Sequence, residues 1–178
     1  MKAVILAAGL GSRLRPITND VPKCMVPVNG IRIIDKQIDN LLQNDVNEIY
    51  VVDGYLADVL TNHLKKYYPQ VHIVSNPRYS ETNNMYSLFL TAQYVKGTEF
   101  LLMNADVYYD SSIVKGMLEG ENQSKIACDR SGYLDESMKI THGGIGNRGE
   151  EMEGEAMERA VGQIVGKCGK CENGPATP

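Results

Sequence analysis

No apolar run in this chain approaches the roughly 20 residues a membrane-spanning helix requires. Nor does it open with the basic, apolar and small-residue layout of a secretory leader. An excess of positive charge is also lacking. Formal net charge is −4, so the electrostatic footprint of a nucleic-acid or membrane-surface binder is absent. With 178 residues and 43% hydrophobic content, the chain reads as one soluble globular domain with its own core, and a cytoplasmic location is expected.

Cysteine is sparse, at 24, 128, 168 and 171. Cys168-Gly169-Lys170-Cys171 has the spacing of a zinc half-site or redox pair. It has no second pair, no nearby His and no thioredoxin-like context, so it reads as chance. Cys24 and Cys128 read as small buried hydrophobes.

Two further absences concern glycine loops. The dinucleotide fingerprint GxGxxG would need glycine where Leu14 stands, which leaves a dehydrogenase as a distant alternative. The P-loop would need Lys directly after its second glycine, and neither Gly9 nor Gly11 is followed by one. What is present is VILAAGLGSRLRPITNDVPK over residues 4–23. A short apolar run, Ala3 to Leu6, has the length of a buried parallel strand. Ala7, Ala8, Gly9 and Gly11 then leave the backbone almost bare, and Arg13, Arg15 and Lys23 follow on a path stiffened by Pro16 and Pro22. Exposed backbone N–H groups beside fixed positive charge suit a polyphosphate.

Further along, helical spacing of Ile34, Ile38, Leu41 and Leu42 predicts a helix, and Glu48 to Val52 a second strand. Leu56 to Tyr67 predicts another helix, stopped by Pro69, and Val71 to Val74 a third strand. Met85, Leu88, Phe89, Ala92 and Val95 predict one helix face, with Asn83 or Asn84 suited to cap it. Phe100 to Met103 is the fourth strand, Ile113 to Leu118 a helix, and Lys125 to Cys128 a fifth strand. This alternation predicts an α/β fold: a Rossmann-like, mostly parallel sheet with helices on both faces. Ligands gather where the strand order of such a sheet reverses. The functional reading requires strands one and four to be neighbours there, so that the Gly9 loop faces Asp106.

Residues 141–178 contain no Phe, Tyr or Trp and more than half of the chain's 17 glycines. They are expected to lie outside the domain of residues 1–140. Met152, Ala156, Ala160 and Ile164 trace a weak amphipathic helix, and Gly166 onward reads as a disordered end.

Residues 6–18 and 22–23 resemble the signature L-A-A-G-x-G-[ST]-R-[LM]-x-P-x-T…P-K of the nucleotide-sugar pyrophosphorylases and related nucleotidyltransferases. Glu81 to Ser87 resembles the E-x-N-N-[IM]-Y-S segment of the phosphocholine cytidylyltransferase branch. Asn104 to Val107 resembles the [DN]-A-D-V segment whose Asp holds magnesium. The likeness covers about residues 1–140. It implies transfer of CMP from CTP, or of another nucleotide from its NTP, to a small phosphomonoester with release of pyrophosphate.

The resemblance also implies roles. Arg13 and the loop amides would hold the β- and γ-phosphates, and Lys23 would neutralise the α-phosphate and the incoming phosphate. Leu6, Ala7, Ala8, Gly9, Gly11, Ser12 and Asn83 would bind the nucleotide, and Asp106 would orient Mg²⁺. A phosphomonoester is largely dianionic near neutral pH, its second pKa being about 6, so no protein base is needed. Positioning and cations do the chemistry instead.

Plainer roles stand beside these. Arg15 reads as solvated, and Asp106 or Asp110 as a helix cap, with Asp110 the better suited. Asn83 and Asn84 read equally as turn or cap residues, and Tyr79, Tyr86, Tyr108 and Tyr109 as acceptor-lining or half-buried tyrosines. His63 reads as a helix-face residue, and His72 and His142 have no nameable partner. The family normally continues into further sheet bearing a second metal carboxylate, and nothing after Ile140 resembles it. Glu150, Glu151, Glu153, Glu155 and Glu158 are assigned to no metal. The domain therefore reads as C-terminally incomplete, with an inactive nucleotide-binding remnant or a sugar-1-phosphate nucleotidyltransferase as the alternatives.

Overall fold

A computed structural model describes residues 1–119, 125–127 and 165–168. The main sheet contains β1 (Lys2–Leu6), β4 (Glu48–Asp53), β5 (His72–Ser75), β6 (Phe100–Asn104), β7 (Lys125–Ile126) and β8 (Val165–Cys168). Its order is β5-β4-β1-β6-β8-β7, and a separate two-stranded ribbon joins β2 (Pro27–Val28) to β3 (Ile31–Arg32). β1 pairs in parallel with β4 on one side and with β6 on the other. The strand order therefore reverses between β1 and β6, the adjacency the functional reading requires.

Alternation along the strands divides the core in two. Ala3, Ile5, Ile49, Val51, Leu101 and Met103 face one way. They meet Ile34, Ile38 and Leu41 of α1 (Ile33–Leu42), Leu60 and Leu64 of α2 (Ala57–Tyr67), and Val114 and Met117 of α5 (Ser111–Leu118). Val4, Leu6, Tyr50, Val52 and Phe100 face the other way, against Leu88 of α3 (Asn84–Leu90) and Val95 of α4 (Ala92–Val95). Period-two strands with apolar residues on both faces have to be covered twice, and the helices do this. α2 also has Asp58 in its first turn and Lys65 and Lys66 in its last, matching the helix dipole.

Three expectations change. The single helix over 85–95 is two, broken at fully buried Thr91, whose Oγ1 donates to the Leu88 carbonyl at 2.7 Å. Met85 and Phe89 point outward, 66% and 46% exposed, because α3 turns Ser87 and Leu88 inward instead. Ser87 Oγ accepts from Asn76 Nδ2 at 3.0 Å. Thirdly, the expectation of a disordered end from Gly166 fails over Val165–Cys168. This segment is a strand antiparallel to β6, with Val165 opposite Met103 and Cys168 opposite Phe100. It satisfies backbone groups that β6 would otherwise leave on an open edge. The helix read over 152–164, Cys128, Cys171, His142 and the glutamates at 150–158 lie outside the described residues.

Candidate functional site

The loop after β1 is held where the parallel strands end. Ala7 N–H donates to the Val52 carbonyl at 2.8 Å, Ala105 N–H to the Leu6 carbonyl at 3.1 Å, and Tyr55 N–H to the Ala8 carbonyl at 3.1 Å. Two hydroxyls brace the rest. Buried Thr18 Oγ1 donates to the Gly11 carbonyl at 2.8 Å, and the Tyr55 hydroxyl lies 3.0 Å from the carbonyls of both Thr18 and Asn19. Gly11 has φ +61°, and a Cβ there would press on Lys23 Cβ at 3.1 Å and Thr18 Cγ2 at 3.2 Å. Gly9 differs: a Cβ on it would meet nothing within 4 Å, so its missing side chain leaves open space.

That space is a cavity of about 430 Å³. Of the residues expected in the site, Leu6, Ala7, Gly9, Gly11, Ser12, Arg13, Lys23 and Asp106 line it. Pro22 leads into a 3₁₀ turn, Lys23–Met25, whose Cys24 and Met25 are buried while Lys23 reaches the cavity. Lys23 Nζ stands 2.5 Å from Asp106 Oδ2, with both side chains about three-quarters buried. The loop after the first strand and the acid after β6 thus share one cleft.

Two expected residues are placed differently. Ala8 is 7% exposed and is not among the residues lining the cavity. Its carbonyl binds Tyr55 and its Cβ packs against Gly54. Asn83 caps α3, with Oδ1 accepting from Met85 N–H at 3.0 Å and Tyr86 N–H at 3.3 Å. It is Asn84 that lines the cleft, donating through Nδ2 to Asn104 Oδ1 at 3.3 Å. Leu10, Leu14, Cys24, Asn104 and Ala105 also border the cavity without having been singled out. Leu10, Leu14 and Cys24 are each next to a residue that was, and Asn104 and Ala105 belong to the segment that carries Asp106.

Several plainer roles hold. Asp110 caps α5, accepting from Ser112 N–H at 2.9 Å, and this backbone hydrogen bond holds its carboxyl below the usual range. Burial pushes the Cys24 thiol up to about 12, so it stays protonated. Arg15 is exposed and away from the cavity lining. None of the four tyrosines named for an acceptor pocket lines this cavity. Tyr109 is turned inward, its hydroxyl 3.2 Å from Met103 Sδ. Both described histidines have partners: His63 Nε2 lies 2.5 Å from Asp35 Oδ1, and His72 stacks on Tyr50 with centroids 5.0 Å apart.

A divalent cation fits the acid end of the cleft. Asp106 Oδ1 is buried and has no hydrogen-bond partner among the described residues, while Oδ2 meets the Lys23 ammonium. Among the described residues no group of three or more His, Cys, Asp or Glu side chains converges on a metal position.

A mostly parallel sheet with helices on both faces, a glycine-rich loop and a facing acid at its switch point define a Rossmann-like α/β class. The nucleotidyl transferase family model matches residues 2–136, and the chain belongs to that family. It is 38% identical over 136 residues to the CTP:phosphoglutamine cytidylyltransferase of Campylobacter jejuni, covering 74% of this chain and 53% of that protein. It is 42% identical over 108 residues to the choline-phosphate cytidylyltransferase of Streptococcus pneumoniae, covering 61% and 45%. Among solved structures, the inositol-1-phosphate CTP transferase from T. maritima superposes with a TM-score of 0.69 at 27% identity, covering 92% of this chain and 69% of that one. The chain spans about half the length of the curated relatives it matches.

Proposed function

We propose that this chain carries the nucleotide-binding part of a cytidylyltransferase. It would transfer CMP from CTP to a small phosphomonoester and release pyrophosphate. The observation that carries the reading is the 2.5 Å approach of Lys23 to Asp106 across the mouth of the bare loop. The likeness to cytidylyltransferases supports the choice of base.

In this reading the acceptor phosphate oxygen attacks the α-phosphorus and the α–β bridging oxygen leaves with pyrophosphate. Two polyanions have to meet, so the chain's task is charge and alignment. Ala7, Gly9 and Gly11 present the triphosphate with backbone that carries little side-chain bulk, and Arg13 on the adjoining turn binds its outer phosphates. Lys23, fixed by the buried Cys24–Met25 turn, balances charge at the reacting phosphate. Asp106 would hold Mg²⁺, which when bound supplies charge neutralisation for the triphosphate. Cys24 is kept as a thiol by burial and takes no part as a nucleophile.

The acceptors to try first are those named for the relatives: phosphoglutamine, phosphocholine and inositol 1-phosphate. Among the described residues no helix is long and apolar enough to cross a membrane. Pyrophosphate release with CTP, Mg²⁺ and that panel is the test. Lys23→Ala is expected to cut kcat by about 100-fold or more while changing nucleotide KM far less. Unchanged turnover in that variant discards the role. Because the chain spans half of its relatives, a second reading is retained, a module that binds nucleotide without turnover. Magnesium-dependent CTP binding with no pyrophosphate from any acceptor favours it.

A further inference from the structure

Beside its apolar stripe, α1 and the turn after it carry Gln37, Asn40 and Asn44, a spacing that sets three amides along one side. Gln37 and Asn40 are fully buried. Gln37 Nε2 donates to two main-chain carbonyls, Asn104 at 2.9 Å and Val107 at 2.7 Å. Asn40 Nδ2 donates to the Tyr109 carbonyl at 2.8 Å, and Asn44 Nδ2 reaches the Ser111 carbonyl at 3.3 Å.

Residues 105–110 belong to neither β6 nor α5. Their carbonyls lack a regular ladder and need partners from elsewhere. Gln37 and Asn40 of α1 supply partners for two of them, Val107 and Tyr109, and because Gln37 also takes the carbonyl of Asn104 at the end of β6, the two carbonyls it joins bracket Ala105 and Asp106. The helix itself cannot drift, since Ile34, Ile38 and Leu41 are fully buried against the sheet.

We propose that Gln37 is a positioning residue for Asp106: its one amide group fixes both ends of the turn that presents the carboxylate to Lys23 and a divalent cation. The proposal rests on the nucleotidyltransferase reading for its consequence, though not for the holding itself. Groups that orient a metal-binding side chain are typically worth 10–100-fold in metal affinity or activity.

Gln37→Met keeps the length and removes both donors. Its half-saturating Mg²⁺ for pyrophosphate release is expected to rise about tenfold, with CTP KM within about twofold of wild type. Asn44→Ala, which loses two hydrogen bonds at the far end of the same stripe, to the Asn40 and Ser111 carbonyls, serves as control and leaves the Mg²⁺ requirement unchanged. If Gln37→Met does not fold, Gln37→Asn, an amide one methylene short, is expected to shift the Mg²⁺ requirement in the same direction. A normal Mg²⁺ requirement in the Gln37 variant, or an equal shift in Asn44→Ala, overturns the proposal.

Amide hydrogen exchange over 104–109 separates its failure from failure of the functional reading. Faster exchange there in the Gln37 variant, but not in Asn44→Ala, upholds the holding role even if wild type releases no pyrophosphate. Equal exchange in all three proteins sinks it.

Discussion

At the scale of single residues, two glycines do opposite jobs, and substitution separates them. A Cβ on Gly54 would stand 2.7 Å from Tyr79 Cβ and 2.9 Å from both Ala8 Cβ and the Ala8 carbonyl oxygen, all on or next to backbone that cannot move cheaply. Gly54→Ala is therefore expected to lower unfolding free energy by about 1–3 kcal/mol in urea titration, as overpacking does. Gly9→Ala meets nothing within 4 Å and is expected to leave stability within about 0.5 kcal/mol of wild type. Its methyl group would instead take ligand space, so nucleotide KM is expected to rise about tenfold, a loss of about 1.4 kcal/mol. Steady-state kinetics beside the same urea titration checks both halves. A stability loss in Gly9→Ala with unchanged KM would move the nucleotide away from the loop. Asn83 and Asn84 show the same point for polar residues. Their identity marks a helix start, but which one caps and which one faces the cleft follows from rotation about a single turn.

At the scale of elements, the loop that carries the candidate site has little regular structure to hold it. Between β1 and β2 only isolated 3₁₀ turns occur, at Ser12–Leu14, Ile17–Asn19 and Lys23–Met25. Its shape depends on the Thr18 hydroxyl inside the loop and the Tyr55 hydroxyl arriving from the turn after β4. Tyr55→Phe keeps the ring and removes the bond to the 18–19 carbonyls. About 1 kcal/mol of stability is expected to be lost, the ordinary net value of such a bond. Nucleotide KM is expected to rise several-fold because the anion loop is less well ordered before binding. Isothermal titration with CTP beside thermal unfolding checks this, and unchanged CTP affinity would show that the loop is held without Tyr55. Such a brace was not legible in the sequence, where nothing marks Tyr55 as the partner of carbonyls 36 and 37 residues earlier.

At the scale of the whole molecule, several protons are kept by burial. The Cys24 thiol is pushed from 9.0 up to about 12 and Tyr50 from 10.0 up to about 12, burial leading in both. Tyr109 is raised by burial as well. Each group holds its proton more tightly folded than unfolded. The associated stability is complete below the unfolded pKa and is lost as pH rises through the folded one. Cys24 acts first, so unfolding free energy is expected to decline from about pH 9 and more steeply beyond pH 10, where the tyrosines join. Urea midpoints at pH 8, 9, 10 and 11 test this. Cys24→Ala is expected to flatten the slope between pH 9 and 10, and an unaltered slope would assign the alkaline loss elsewhere.

The sequence by itself determined the β-α alternation, the bare glycine loop with its cations and the acid after the fourth parallel strand. These depend on local periodicity and on short-range backbone sterics, which a linear reading contains. It misplaced the buried face of α3 because Ser87 and Thr91 are interior groups satisfied by hydrogen bonds, and apolar periodicity does not register them. It passed over Gln37 and Asn40 because a buried amide is informative only once its carbonyl partners, some 70 residues distant, are known. Only the tertiary structure brought Lys23 against Asp106, turned Asn84 and not Asn83 to the cleft, and paired Val165–Cys168 with β6. Each of these is a meeting of segments far apart in the chain or a choice between adjacent rotations, and such choices are settled by packing on the sheet.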